Sequence, residues 1–174
     1  MKYVKTFESY SADDTDPLRK MLEAMSKFGS GMQKKLAKEK LSVMKPVKCV
    51  RLKDAIGPEA VEKVKIYVRP EKKNCYANAL HAAEYLREHD VKYCEGWLIM
   101  HGLPIEHAFN KTGDTYFDVT EEFALGGDPA EYTYVVLGEW DPDTALLVMA
   151  TGPYKCYGEV FDKEFISKHP ENIK

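Results

Sequence analysis

Residues 74–86, NCYANALHAAEYL, predict a helix that begins at a cysteine, and this helix decides the fold that we expect. Small and apolar residues recur along it at three- and four-residue spacing: Ala79, Ala82, Ala83 and Leu86. Such a narrow stripe of small side chains lets a helix lie close against a sheet. We therefore expect the Cys75 helix to pack directly on strands from elsewhere in the chain.

Segments rich in aliphatic and aromatic residues follow this helix and predict strands. They span residues 91–100, 105–110, 115–119, 132–138 and 145–150. Before the helix, residues 54–63 predict a short helix and Val64–Val68 predicts a strand. We expect an α+β fold, in which a mostly antiparallel sheet carries the Cys75 helix on one side.

The first part of the chain predicts a helical element of its own. Pro17 stands at a favourable first helix position, and apolar residues recur from Leu18 to Leu36, with a bend expected at Gly29-Ser30-Gly31. We assign residues 1–45 to an N-terminal amphipathic helical extension and residues 46–174 to a catalytic domain, within one compact unit. The second half of the extension is basic, so a solvated helix face, a partner-binding arm and an inhibitory pro-segment all stay open.

The composition is that of an ordinary globular protein, with 44% hydrophobic and 30% charged residues. A net charge of -3 offers no general attraction for nucleic acid or for an anionic membrane. No apolar run approaches the roughly 18 residues that a membrane span needs, and the start of the chain has no signal-peptide core. We expect a cytoplasmic protein that acts on a protein or peptide substrate; its oligomeric state stays open.

The four cysteines, at positions 49, 75, 94 and 156, have no Cys-x-x-Cys spacing and no disulfide-framework pattern. We expect free thiols, with Cys94 packed inside a strand and Cys156 in a turn. A zinc site is the chemical rival, with candidate ligands Cys94, His101, His107 and Asp118. The chain has no paired zinc-ligand motif, so we expect no metal and no cofactor.

Cys75, His107 and Asp118 occur in the order and local context that a thiol hydrolase uses. A free thiol is mostly protonated near neutral pH, so something must lower the pKa of Cys75. The start of a helix and a facing imidazole would do so, and a carboxylate would orient the ring. We predict Cys75 as the nucleophile, His107 as the general acid and base, and Asp118 as the orienting carboxylate.

A hairpin should bring the last two together. His107 and Asp118 are 11 positions apart, and Lys111-Thr112-Gly113-Asp114 between them has the composition of a turn. A turn centred near Thr112-Gly113 pairs position 107 with about position 118. Residues that face one another across such strands lie roughly 4.5–5.5 Å apart at Cβ, so we expect direct contact.

Further short motifs accompany this triplet: Cys75 to Ala79, Glu95-Gly96, Pro104 to Ala108, and Asp118 to Thr120. In this order the chain resembles, over about residues 64 to 140, the papain-like and transglutaminase-like cysteine enzymes and small bacterial and phage proteins with these motifs. The resemblance implies a papain-like or transglutaminase-like core, a Cys-His-Asp triad and a thioester intermediate. Peptidases, amidases and acyltransferases share that chemistry, and the residues do not choose among them.

The oxyanion site is the least determined part of the prediction. Papain-like peptidases hold a glutamine shortly before the nucleophile, and residues 69–74 contain none. The Cys75 backbone N–H and one further donor would serve instead. The candidates for oxyanion or substrate binding are Asn74, Asn78 and Tyr67. Asn74 also fits the N-cap position of the helix.

Other interpretations compete with an enzyme. Taken singly, Cys75 fits a buried core thiol, His107 a hydrogen-bonded strand histidine and Asp118 a turn-flanking carboxylate. The alternative function is a catalytically inactive hydrolase-like fold that binds a partner through its N-terminal helix. Geometry separates the two, because an enzyme must hold the Cys75 sulfur within reach of His107.

Overall fold

The computed structural model describes residues 15–151 and 159–168, and the fold within these ranges is α+β. Its α-helices are α1 (Asp16–Phe28), α2 (Gly31–Val43), α3 (Leu52–Ala55), α4 (Pro58–Lys63), α5 (Cys75–Tyr85), α6 (Pro142–Thr151) and α7 (Val160–Lys168). Its strands are β1 (Lys45–Val47), β2 (Cys49–Val50), β3 (Lys92–Met100), β4 (Leu103–Thr112), β5 (Thr115–Phe117) and β6 (Thr133–Trp140). The strands form one curled mixed sheet in the order β1-β6-β3-β4-β5-β2.

Strands β3, β4 and β6 form the centre of the sheet, and they pair in an antiparallel manner. A bulge in the pairing of β3 with β6 lies between Glu95 and Gly96. There the Val135 carbonyl approaches so closely that a Cβ on Gly96 would lie 1.7 Å from its oxygen. Only glycine fits this position, which lies opposite His107 on β4.

Helix α5 packs on one face of β3 and β4 through its stripe of small residues. Ala79 and Ala83 are fully buried and share a core with Ala108 of β4. The Asn110 side chain donates a hydrogen bond to the Ala79 carbonyl (2.8 Å), which ties the helix to the strand. The prediction that a helix beginning at Cys75 packs on the sheet is confirmed.

Helices α1 and α2 cover the same face further along β3. Leu18 and Leu22 of α1 are buried against Trp97 of β3 and Val135 of β6. α1 ends and α2 begins on either side of Gly29-Ser30, where the sequence predicts a bend. The two helices therefore contribute to the core as well as to the surface.

The predicted strand Val64–Val68 is wrong, because this segment is a π-helical turn that continues α4. Ala60, Val64 and Val68 are four residues apart and all buried, which is the spacing of one helix face. Ile66, which strand alternation would bury with its neighbours, is 51% exposed. The apolar residues of this segment fit both a strand period and a helix period, and the observed burial follows the helix period.

The predicted strand at residues 145–150 is also wrong, since it lies within helix α6. Pro142 occupies the first position of this helix, where its fixed φ is favourable. Ala145 and Met149 are buried four residues apart, whereas Leu147 between them is 63% exposed. The other four predicted strands downstream of Cys75 are present as β3, β4, β5 and β6.

The structure adds β1, β2 and α7, which the sequence does not predict. β2 runs parallel to β5, so the sheet is mixed rather than uniformly antiparallel. Helix α7 is anchored by Glu95 of β3, whose buried carboxylate accepts the N–H groups of Val160 (2.9 Å) and Phe161 (3.1 Å) and the Tyr93 hydroxyl (2.6 Å). A carboxylate at this position caps the first turn of the helix.

Candidate active site

Cys75 is the first residue of α5 and is half-buried. Asn74 stands at the N-cap position, but its side chain makes no capping hydrogen bond. It donates instead to the Glu71 carboxylate (2.8 Å). Asn74 is at the predicted N-cap position, but its side chain leaves the first N–H groups of α5 uncapped.

The side chains of His107 and Asp118 are in direct contact, which confirms the expectation from the hairpin. Nε2 of His107 lies 2.7 Å from Oδ2 of Asp118, and both side chains are buried. Because Asp118 occupies Nε2, the imidazole presents Nδ1 to the Cys75 thiol, with which His107 is hydrogen-bonded. His107 therefore contacts Asp118 and also acts on the Cys75 thiol, whose pKa it lowers.

The register that produces this contact differs from the predicted one by two residues. Asn110 pairs with Phe117, so the turn is centred on Gly113-Asp114, one residue later than expected. Asp118 then lies diagonal to His107 instead of opposite it. A shift of two residues preserves the alternation of faces, so the carboxylate still points to the side of β4 that carries His107.

Asp118 is fully buried, and each of its two carboxylate oxygens accepts two hydrogen bonds. Oδ1 accepts the N–H groups of Thr120 (2.8 Å) and Glu121 (3.1 Å), and Oδ2 accepts the Tyr134 hydroxyl (3.0 Å) as well as His107. The predicted strand at residues 115–119 includes Asp118, but β5 ends at Phe117 and Asp118 follows it, so that part of the prediction is wrong. The capping bonds of Asp118 turn the chain out of the sheet, which fixes the carboxylate beside His107.

His107 and Asp118 hold each other in the charged form. Burial alone would lower the pKa of His107, but the charge and hydrogen bond of Asp118, together with Cys75, raise it to about 10. Burial would raise the pKa of Asp118, but the charge and hydrogen bond of His107 hold it below its usual range. At neutral pH the pair is therefore an imidazolium and a carboxylate.

The pKa of Cys75 is lowered even though burial acts in the opposite direction. The hydrogen bond and charge of His107, with the backbone N–H of Ala108, favour the thiolate and outweigh burial. β5 pairs with β4 only at Asn110–Thr112. The hydrogen-bond ladder between the two strands therefore stops two residues short of Ala108. The Cys75 sulfur takes the place that the next residue of the ladder would occupy.

Cys49 and Cys94 are buried, and their environments differ from that of Cys75. Burial is the main cause that raises the pKa of each thiol well above its ordinary value. The prediction that Cys94 packs inside a strand is confirmed, since it is fully buried in β3. Cys156 lies outside the described residues. Of the cysteines that the structure describes, Cys75 alone has a lowered pKa.

Asn78 is buried near the start of α5, but its side chain is committed to the preceding loop. Its amide donates to the Glu71 carbonyl (2.7 Å) and to the Thr120 hydroxyl (3.1 Å), and its oxygen accepts the Glu71 N–H (3.1 Å). Both amide hydrogens are used. Asn78 therefore positions the loop that leads to Cys75 and has no hydrogen left for an oxyanion.

Tyr67 does not lie beside the triad. Its ring is 58% exposed and stacks on Tyr85, with 5.7 Å between the ring centroids. Tyr85 is the last residue of α5, about 15 Å along the helix axis from Cys75. The structure thus brings Asn74 and Asn78 to the start of the helix and leaves Tyr67 at its other end.

Two buried groups that the sequence does not single out, Tyr134 and Glu121, adjoin the triad. Burial raises the pKa of Tyr134, so its hydroxyl stays a donor to Asp118. Glu121 is 3% exposed, and its Oε2 has no hydrogen-bond partner among the residues described. Burial and the charge of Asp118 raise the pKa of Glu121. In the sequence, an aromatic residue on a strand, such as Tyr134, predicts a core position. Only the strand register shows that the Tyr134 hydroxyl meets the Asp118 carboxylate.

Metal chemistry has no site in the described ranges. Within residues 15–151 and 159–168, no three His, Cys, Asp or Glu side chains are grouped closely enough to hold a metal ion. His101 is exposed in the turn between β3 and β4, while Cys94 is buried in the sheet. Over the same part of the chain, no helix combines the length and apolar character needed to cross a bilayer.

Comparisons with known proteins give no family for this chain. No family model matches it, and no curated protein or solved structure matches it either. The function is therefore argued from the geometry of the site.

Proposed function

We propose that the protein is a cysteine-dependent hydrolase or acyltransferase that acts on an amide, peptide or isopeptide bond through a thioester. The observation that carries the proposal is the 2.7 Å contact of His107 with the fully buried Asp118, together with the action of the same imidazole on Cys75 at the start of α5. The lowered pKa of the thiol and the raised pKa of the imidazole support it. A thiolate held by an imidazolium is a nucleophile at neutral pH.

Acylation begins with attack of the Cys75 thiolate on the carbonyl carbon of the donor. A C–S bond forms, and the carbonyl π electrons move to the oxygen. When this tetrahedral intermediate collapses, the C–N bond breaks and Nδ1 of His107 gives its proton to the departing amine. Asp118 holds the ring in place and stabilises its charged form until then. The products are a free amine and a Cys75 thioester.

Deacylation uses the same residues with the proton moving in the other direction. The neutral His107 removes a proton from water or from an amine, which attacks the thioester carbonyl and releases Cys75 as a thiolate. Water gives a carboxylic acid, and an amine gives a new amide. A hydrolase and an acyltransferase therefore differ only in the acceptor that reaches the site.

The oxyanion of both intermediates is expected to bind at the start of α5. The Cys75 N–H belongs to the first turn, where backbone donors have no partner within the helix. Asn74 is exposed beside it, and one hydrogen of its amide is bound to Glu71. Its second hydrogen makes Asn74 the side-chain donor that we propose, in preference to Asn78 and Tyr67.

The proposed relationship is to the papain-like and transglutaminase-like enzymes. It is supported by a helix that begins at the nucleophilic cysteine, a strand that carries the histidine and a carboxylate at the end of the next strand. The alternative, an inactive fold that binds a partner, has no need of a thiol whose pKa is lowered against burial. The geometry therefore favours the enzyme.

The first test is the pH dependence of iodoacetamide alkylation at each cysteine, measured by mass spectrometry on the folded protein. At pH 6 we expect Cys75 to react at least about tenfold faster than Cys49 or Cys94. His107→Ala should abolish this advantage. His81→Ala, which changes a partly exposed histidine on the same helix, should preserve it.

A second measurement tests whether Cys75 forms the thioester that the proposal requires. p-Nitrophenyl acetate should acetylate Cys75 and release one equivalent of p-nitrophenol in a burst, and hydroxylamine should remove the acetyl group. Cys75→Ala, which lacks the sulfur, should show no burst. A Cys75 that titrates like a free thiol with or without His107 would overturn the proposal.

A further inference from the structure

On the side of β4 that faces Cys75, residues 103–109 pair with no strand among the described residues. β5 pairs with Asn110 to Thr112 only, whereas β4 begins at Leu103. In a regular antiparallel strand, successive N–H groups point alternately to its two sides. Because the Ala108 N–H points away from β3 to the Cys75 sulfur, the Glu106 N–H points the same way, and residue 104 is a proline without an N–H.

Glu106 therefore directs one N–H and one C=O to the side of β4 where no described strand pairs with it. Its side chain is exposed, as are Leu103 (68%) and Ile105 (43%) on either side of Pro104. A pair of free backbone groups on one residue is the unit by which an edge strand accepts another chain. The length of this edge suits a short segment rather than a whole strand.

The two faces of this edge differ in chemistry. Leu103 and Ile105 point to the face of the sheet that carries His107, and they make this side apolar. Glu106 points to the other face, where it lines a cavity of about 30 Å³ next to Tyr76. The charged residues around that cavity, among those described, are Lys40, Glu95, Glu106, Glu159 and Asp162. Lys40 is paired with Asp162 (2.8 Å) and Glu95 caps α7, so the exposed carboxylate of Glu106 is the charge that favours a cationic group there.

We propose that the acyl donor is an extended peptide segment that adds to the edge of β4 at Glu106, with a basic side chain beside Glu106 and an apolar one beside Ile105. This inference rests on the proposed thiol chemistry and names its substrate class. The backbone N–H of Ala108 acts on the Cys75 sulfur, so the reacting residue lies next to His107 and the residue before it lies opposite Glu106, in a segment that runs parallel to β4. Main-chain hydrogen bonds supply the alignment, and the alternating side chains supply the selectivity.

A peptide that carries an alkylating group tests this arrangement. Acetyl-Leu-Lys-Gly chloromethyl ketone places lysine opposite Glu106 and leucine beside Ile105. The matched controls are the permuted probe, acetyl-Lys-Leu-Gly chloromethyl ketone, and the first probe with its glycine nitrogen methylated, because in a segment parallel to β4 the glycine N–H is the donor that reaches the Glu106 carbonyl. The quantity compared is the rate of Cys75 alkylation by each probe divided by the rate with iodoacetamide. We expect each control to lower this ratio by about tenfold.

A pair of variants tests the backbone donor itself. Glu106→Pro removes the N–H at an edge position, where proline is compatible with a strand. Glu106→Ala keeps the N–H and removes only the charge. We expect the ratio to fall by about tenfold in the proline variant and by about threefold in the alanine variant. Because the iodoacetamide rate is measured in each protein, damage to the triad is separated from loss of peptide alignment.

The outcomes distinguish this inference from the proposed function. If iodoacetamide shows an activated Cys75 but the three peptide probes react alike, the β4 edge is not the donor site and the thiol chemistry stands. If Cys75 is not activated, the edge is still measurable in Cys75→Ala by amide NMR with acetyl-Leu-Lys-Gly amide. Chemical shift changes at Ile105, Glu106 and Ala108 would support the inference, and unchanged amides there would overturn it.

Discussion

Cys75 and Cys94 carry the same chemical group within one small fold, and their pKa values shift in opposite directions. Burial is the largest influence at both positions and raises the pKa at each. At Cys94 the charge of Glu139 adds to this rise. At Cys75 the effects of His107 and of the Ala108 N–H reverse it. Burial does not activate a thiol; a neighbouring cation and a directed donor do.

The two thiols also differ in their place in the sheet. Cys94 lies in β3, which is paired on both sides, so its strand offers no free backbone group. Cys75 lies outside the sheet, at the point where β5 has ended and β4 continues. Where the pairing of β4 with β5 has stopped, a backbone N–H of β4 is left to act on the thiol. A complete hydrogen-bond ladder would use that N–H within the sheet. Each prediction below alters one contributor to this contrast.

The largest effect is expected from Asp118→Ala, which should make Cys75 resemble Cys94. The change removes the counter-charge of buried His107 and the acceptor for two backbone N–H groups. We expect the free energy of unfolding to fall by about 3–5 kcal/mol, since a buried charge loses its partner. Urea unfolding measures this loss, and alkylation should show that the pKa of Cys75 rises.

Asp114→Ala is the matched control, because Asp114 is an exposed residue in the turn of the same hairpin. We expect its unfolding free energy to change by less than about 0.5 kcal/mol. Equal losses in both variants would mean that the hairpin, rather than the buried carboxylate, determines the stability of the site.

Cys75→Ser should expose a pH dependence that the wild-type protein conceals. The folded pKa of His107, about 10, is above its ordinary value of 6.5, so its contribution to stability is complete below pH 6.5 and is lost as the pH rises toward 10. The folded pKa of Cys75 is below its ordinary value, so its contribution is present above that value and is lost as the pH falls. In the wild type the two slopes oppose each other.

Without the thiol, Asp118 still raises the pKa of His107, and only the histidine slope remains. We expect the stability of Cys75→Ser to fall as the pH rises above 6.5, with a slope of up to about 1.4 kcal/mol per pH unit, and to level off below pH 10 because the thiol no longer helps to raise the pKa of His107. Urea unfolding at a series of pH values measures the slope. The double variant Cys75→Ser, His107→Gln should lose it; a slope that persists there would assign the effect to another group.

The smallest effect is expected from Tyr134→Phe, which removes one donor from Asp118. The carboxylate then becomes a better partner for the imidazolium, so the alkylation midpoint of Cys75 should move to lower pH by less than about one unit. Tyr116→Phe is the control, because Tyr116 donates to Glu139 instead (2.6 Å). A midpoint that moves to higher pH would show that Tyr134 orients Asp118 rather than competing with His107.

The elements around the site follow from local patterns that the structure keeps. The small residues of α5 and the alternation in β3 and β4 are each satisfied by one mode of burial. The strand predictions for Val64–Val68 and residues 145–150 were wrong because the apolar residues of these segments fit both a strand period and a helix period. Packing decides between the two. β2 and α7 depend on distant partners, such as Glu95 for α7, which no local window contains.

The triad could be predicted because the hairpin is local, and a register error of two residues leaves its faces unchanged. The role of Asn78 in the loop before α5 could not be predicted. Asn78 has the composition of an oxyanion donor, but its three hydrogen bonds to Glu71 and Thr120 require the folded loop. Tyr134 likewise acquires its role only when β6 lies beside β3 and brings its hydroxyl to Asp118.

Asp118 couples the reactivity of the protein to the completion of its folding. The residue that ends β5 and starts the following turn is also the one that charges His107, which lies 32 positions (107 minus 75) beyond Cys75. A chain still being synthesised, or one whose hairpin has not closed, carries an ordinary thiol that is mostly protonated at neutral pH. Under the proposed function, the nucleophile would arise only in the finished fold, so an immature chain would transfer no acyl group.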